Sequence, residues 1–134
     1  MIYFKQILSF PSIFKDRNDN IKKLIIFLTE INKDSDNNII IKSSCNNHNQ
    51  IIKFYDDNFN SKTKVQIYCS CESFKYEFSY VLFENDGLLN GNFFQKNFKP
   101  KIKNPYNYIC GCKHIISLSQ YVIKKLETIN RRLK

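Results

Sequence analysis

A chain of 134 residues is the size of one domain and long enough to bury a core without a mandatory staple. At 43% hydrophobic and 25% charged it reads as globular rather than disordered, and its longest apolar run, Leu24 to Leu28, falls far short of a membrane span. The formal charge is +9, yet residues 1–86 hold eleven basic and eleven acidic side chains, so residues 87–134, with ten basic groups against Glu127, carry the whole excess. Eighteen Lys stand against three Arg and there is no Ala, a bias that A/T-rich coding produces; part of the Lys excess is therefore compositional.

The first residues carry Lys5 and Gln6 where a secretory leader would be apolar, and no small-residue cleavage site follows, so a secreted protein is not expected. Residues 1–18 are aromatic and apolar, interrupted by Pro11, and are assigned no element. Asp19 or Asn20 suits an N-cap, and Ile21, Leu24, Ile25, Leu28 and Ile31 follow a 3.6-residue period that predicts a helix from about Ile21 to Asn32. The turn formers KDSDNN (33–38) end it.

Three strands are expected next, Ile39–Ser43, Gln50–Tyr55 and Lys64–Cys69, separated by CNNHN and DDNFNSK. Connections this short favour an antiparallel meander, with its inner face on the first helix. The third strand alternates, Val65, Ile67 and Cys69 on one face and Lys64, Gln66 and Tyr68 on the other. Ser73 to Phe83 suits helix or strand, and Asn85-Asp86-Gly87 stops it. Leu88 to Tyr108, with Pro100 and Pro105, reads as a long loop. From Lys113 to about Leu133, Ile115, Leu118, Val122, Ile123, Leu126 and Ile129 keep helical spacing, with Lys124, Lys125, Arg131 and Arg132 in the half where cations complement the helix dipole.

Five Cys cannot all pair within one chain, and four of them form two Cys-x-Cys pairs. Cys69-Ser-Cys71 lies at a strand end, and Cys110-Gly-Cys112-Lys-His114 opens a helix. A structural zinc site takes four such donors in a tetrahedron, and a helix's first turn favours thiolate. The expected ligands of one structural Zn2+ are Cys69, Cys71, Cys112 and His114, with Cys110 as an alternative to His114. A disulfide between the pairs is disfavoured because nothing points to an oxidising compartment. Cys45 and His48, in a Cys-x-x-His spacing, are a weaker half-site expected to sit in a hairpin turn.

Cys-x-Cys followed by Cys-x-His, with a helix running on from the His, resembles the SWIM-type zinc finger. The phrases CSCESFKYEFSYVL and NPYNYICGCKHIISL are similar to small SWIM-like structural or accessory proteins of large tailed bacteriophages, a resemblance covering residues 64–126. It implies Cys69 and Cys71 as the first pair and Cys112 and His114 as the second. The chain departs from the family pattern in its 40-residue spacer between Cys71 and Cys112, in Ser70 where a Pro commonly stands, and in the extra thiol of Cys110.

The expected fold is α+β in a single compact domain, an N-terminal helix with a small antiparallel meander and then a zinc-binding module ending in a long amphipathic helix; residues 1–63 are the N-terminal α/β part and residues 64–134 the SWIM-like zinc module. No P-loop, dinucleotide-binding Gly motif or HExxH occurs, Asp56-Asp57 suits a solvated turn, and four protein ligands leave zinc no open position, so no enzyme is expected. The loop carries Lys96, Lys99, Lys101 and Lys103 interleaved with Phe98, Ile102 and Tyr106, a pattern suited to a partner or to single-stranded nucleic acid. The reading is a zinc-stabilised structural or interaction protein of a large assembly, in a virion or host cytoplasm, whose partners are other protein subunits. DNA is the alternative partner; no membrane and no small-molecule substrate is expected.

Overall fold

The computed structural model describes residues 1–9, 24–89 and 108–133. Its sheet comprises β1 (Ile2–Tyr3), β2 (Phe27–Lys33), β3 (Ile39–Cys45), β4 (His48–Phe54) and β5 (Lys64–Cys69), in the spatial order β1-β5-β4-β3-β2. Every pairing is antiparallel. A short helix, α1 (Phe4–Leu8), follows β1; a wide π-helical turn (Phe74–Phe78) runs into α2 (Ser79–Glu84); α3 (Lys113–Lys124) and α4 (Leu126–Arg132) come last. The class is α+β. β1 and β4 both pair with β5, so the two halves of the chain share one sheet.

Alternation decides which way this sheet faces. Ile39 and Ile41, Ile52 and Phe54, and Val65 and Ile67 are buried, while Ile40, Lys42, Ile51, Lys53 and Gln66 between them are more open. β3 and β4 join through Asn46 and Asn47 at φ 51° and 65°, the two left-handed positions of a tight two-residue hairpin, for which Asn is well suited. Asp34 closes the preceding turn, its Oδ1 accepting the Asp36 and Asn38 N–H groups at 2.9 Å each. On the far side of β5 the chain returns after α2: the Ile67 N–H donates to the Gly87 carbonyl and the Leu89 N–H to the Ile67 carbonyl, both at 2.9 Å.

The helix expected over Ile21–Asn32 is absent from the described part of that segment, residues 24–32; Phe27 to Lys33 form edge strand β2. The physical reason is a bulge. Leu28 pairs with Ser43 and Ile31 with Ile41, leaving one extra residue on β2 between them. The bulge puts both side chains on one face at a three-residue spacing, which in sequence imitates a helix. The expected N-cap, Asp19 or Asn20, lies outside the described residues. The inner face of the meander is instead covered by α3, which lies against α1, β4 and β5.

Residues 2–8 form β1 and α1 where no element was expected. The α1 backbone borrows its acceptors from the loop before β5: the Phe4 and Lys5 N–H groups donate to the Thr63 and Ser61 carbonyls. The ambiguous stretch from Ser73 is helical, burying Phe74, Phe78, Val81 and Leu82. The expected C-terminal helix is interrupted at Lys125, where φ is −104° and ψ 16°. No helix among the described residues is long and apolar enough to cross a membrane.

Candidate metal centre

The core face of the sheet is aliphatic and aromatic at one end and changes character at the other. Ser43 pairs with Gln50, Gln50 with Cys69, and Cys45 with His48. β5 ends at Cys69, and the chain beyond is pinned to β4: the Ser70 N–H donates to the Asn49 carbonyl at 3.0 Å and the Asn49 N–H to Ser70 Oγ at 2.9 Å. Cys71 then opens the helical turn, its sulfur accepting the Phe74 N–H at 3.3 Å. From the opposite side Cys112 stands at the N-cap of α3, its carbonyl accepting the Ile116 N–H at 3.0 Å, with His114 in the first turn.

These two ends place one ligand atom from each of Cys69, Cys71, Cys112 and His114 within 4.8 Å of one another, and all four residues are buried. His114 Nδ1 lies 3.8 Å from Cys69 Sγ and 3.9 Å from Cys112 Sγ. Tetrahedral coordination at bond lengths of about 2.0–2.3 Å sets neighbouring donors roughly 3.5–3.8 Å apart. The cluster is therefore nearly at coordination distance and can hold one metal ion. Cys110 is buried but is not one of the four. No disulfide joins any of the cysteines.

Electrostatics favour a cation there. Hydrogen bonds from Cys112 and Cys69 hold the Cys71 thiol far below its ordinary range. Cys69 is pushed up to about 11: its contact with Cys112 pulls downward, but the hydrogen bond with Cys71 and burial outweigh it. Burial drives Cys112 well above its usual value. Without metal, then, the cluster holds one thiolate and two protonated thiols, and a divalent ion displaces the protons.

Gly111, between Cys110 and Cys112, is required by space rather than by φ. A Cβ there would stand 2.6 Å from Ile115 Cγ2 and 2.8 Å from Ile115 Cβ, and the second of these is fixed to the helix backbone and has no rotation to relieve the contact. Gly111→Ala should lower stability by about 1–3 kcal/mol through overpacking and should weaken metal affinity, because relief requires α3 to move. Paired chemical unfolding and metal competition check this; an unchanged variant would show that the Gly111 approach is loose.

Sequence reasoning treated Gln50 as an ordinary strand residue, and the structure gives it another position. Fully buried, its amide donates to Cys69 Sγ at 3.6 Å and to the His48 carbonyl at 2.9 Å, and its Oε1 accepts the Ser43 hydroxyl at 2.8 Å. A polar residue on the inward register of an otherwise apolar strand was the available signal. Cys45 and His48 are cross-strand neighbours rather than turn residues, and His48 lies against the His114 ring with centroids 5.2 Å apart. Among the described residues they complete no second group of three or more metal donors. Asp56 and Asp57 lie in the bend after β4. The contact candidates Lys96, Phe98, Lys99, Lys101, Lys103 and Tyr106 fall outside the described residues. Compared with known proteins, the chain matches no family model, no curated protein and no solved structure.

Proposed function

We propose that this chain is a non-enzymatic, zinc-stabilised structural or interaction protein of the SWIM-type zinc-finger kind, a minor component of a large assembly such as a tailed-phage virion. The observation that carries the reading is the buried four-donor cluster joining the end of β5 to the first turn of α3. Three sulfurs and one imidazole suit zinc among the common divalent ions. Four protein donors leave no coordination position for a reacting water, which favours a structural over a catalytic role. Unbridged thiols accord with a reducing compartment.

The partners of such a protein are neighbouring subunits, met by basic side chains of residues 87–134. Lys124, Lys125, Arg131 and Arg132 are exposed there. The net charge of that region, ten basic groups against one acidic, also suits a free nucleic-acid-binding module working through residues 95–108, and salt separates the two. Titration of the zinc-loaded chain with labelled single- and double-stranded DNA should show no affinity that persists at moderate salt. Size fractionation from its source should place the chain in particles far larger than its 16.0 kDa. A tight, steeply salt-dependent DNA affinity in a chain that fractionates as a free protein would overturn the assembly reading in favour of the binding module.

A further inference from the structure

We infer that His48, presented by the β3–β4 hairpin, is the outer-shell hydrogen-bond partner of His114 and orients that ligand toward the metal. The inference rests on the metal reading above. His114 turns Nδ1 toward the sulfurs of Cys69 and Cys112, which makes Nδ1 the coordinating atom. That leaves Nε2 carrying the proton on a side chain only 4% exposed, and Nε2 has no hydrogen-bond partner in the structure. A metal-ligating imidazole almost always donates its second N–H, and an unpaired buried donor is costly.

The His48 ring lies next to it, centroids 5.2 Å apart and planes inclined by 44°. Rings at that separation can bring a nitrogen of each into hydrogen-bond range by rotation about the broad terminal torsion of His48. Three features hold His48 in place. The hairpin register sets it opposite Cys45, its carbonyl accepts the Gln50 amide, and it shares the inward face of β4 with Gln50. The same hairpin thus reaches two of the four ligands, Cys69 through Gln50 and His114 through His48. Neither residue belongs to the Cys-x-Cys or Cys-x-His motif.

The test is zinc affinity of the full chain, by competition with a chromophoric chelator, together with the visible spectrum of the cobalt-loaded protein. Far-UV circular dichroism confirms folding. His48→Ala and His48→Phe should each lose roughly 10–100-fold in affinity and shift the cobalt ligand-field bands, while thiolate charge-transfer intensity persists. His48→Asn or His48→Gln, which retain an acceptor, should restore most of the affinity. The Phe variant keeps a ring against His114, so a Phe variant that binds like wild type would reduce the contact to packing and overturn the inference. So would Ala and Phe variants with wild-type affinity, or Asn and Gln variants as weak as Ala; in those cases the metal reading survives. A wild-type chain that takes up neither zinc nor cobalt overturns both.

Discussion

Cys112→Ser should leave the chain without stoichiometric metal and lower its stability by several kcal/mol, whereas Cys110→Ser should keep its metal. Cys112 caps α3, is fully buried and belongs to the four-donor cluster; Cys110, two residues earlier, does not. Structural zinc sites carry apparent binding free energies of about 10–16 kcal/mol near neutral pH, and part of that offsets the closure of the intervening loop. Forty residues separate Cys71 from Cys112, so the metal would tie the two pairs together across that interval, adding to the apolar packing that already holds α3 against α1, β4 and β5. Cys110→Ser introduces one buried hydroxyl and should cost about 1–3 kcal/mol without loss of metal. Elemental analysis and thermal unfolding with and without chelator check both. A Cys112→Ser chain that melts like wild type would refute the metal centre.

The same centre should bind metal more weakly as pH falls, and the sign follows from the thiols. Cys71, held low, is already ionised near neutrality, while Cys69, at about 11, and Cys112, raised well above its usual value by burial, are protonated. Loading releases those two protons, so the apparent affinity should rise with pH by about two powers of ten per unit in this range. A pH-independent affinity would show that Cys69 and Cys112 give up no protons on loading.

Phe54→Ala should be the most damaging substitution away from the metal, at about 3–5 kcal/mol. Phe54 is fully buried at the aliphatic and aromatic end of the core face, its ring edge-on to Phe4 at 4.9 Å and 4.2 Å from Phe59. The three rings come from β4, α1 and the loop before β5, so the vacated volume borders elements that are separately anchored and collapse poorly. Against a total stability of about 5–15 kcal/mol for a typical domain, the loss should leave the metal-free chain close to unfolded at ordinary temperature. Phe27→Ala, on edge strand β2 and 65% exposed, should stay within about 0.5 kcal/mol. Urea midpoints for the two variants test the contrast; equal losses would contradict the burial pattern.

Much of the site was legible because its signals are local. Cys69-x-Cys71 and Cys112-x-His114 are pairs two residues apart at element ends, and an inward-outward alternation led from Val65 to Cys69. Lys113 opens α3 as helical spacing predicts. What escaped sequence reasoning was contextual. The bulge between Leu28 and Glu30 hid a strand behind a helical spacing, and only pairing with β3 reveals it. Gln50 reads as an ordinary strand residue until the register places it opposite Cys69. His48 reads as a turn residue until Asn46 and Asn47 shorten the turn to two residues.

The sequence by itself determined which atoms can hold a metal, since donor chemistry and short spacing need no knowledge of distant partners. Tertiary structure alone decided that the two pairs meet, that Cys110 stays out of the cluster, and that a hairpin some twenty residues before Cys69 reaches two of the ligands. The physical reason is range. Dihedral preference and donor identity act over a few residues, whereas strand register and the meeting of two pairs 40 residues apart are settled by packing between segments that sequence proximity does not connect.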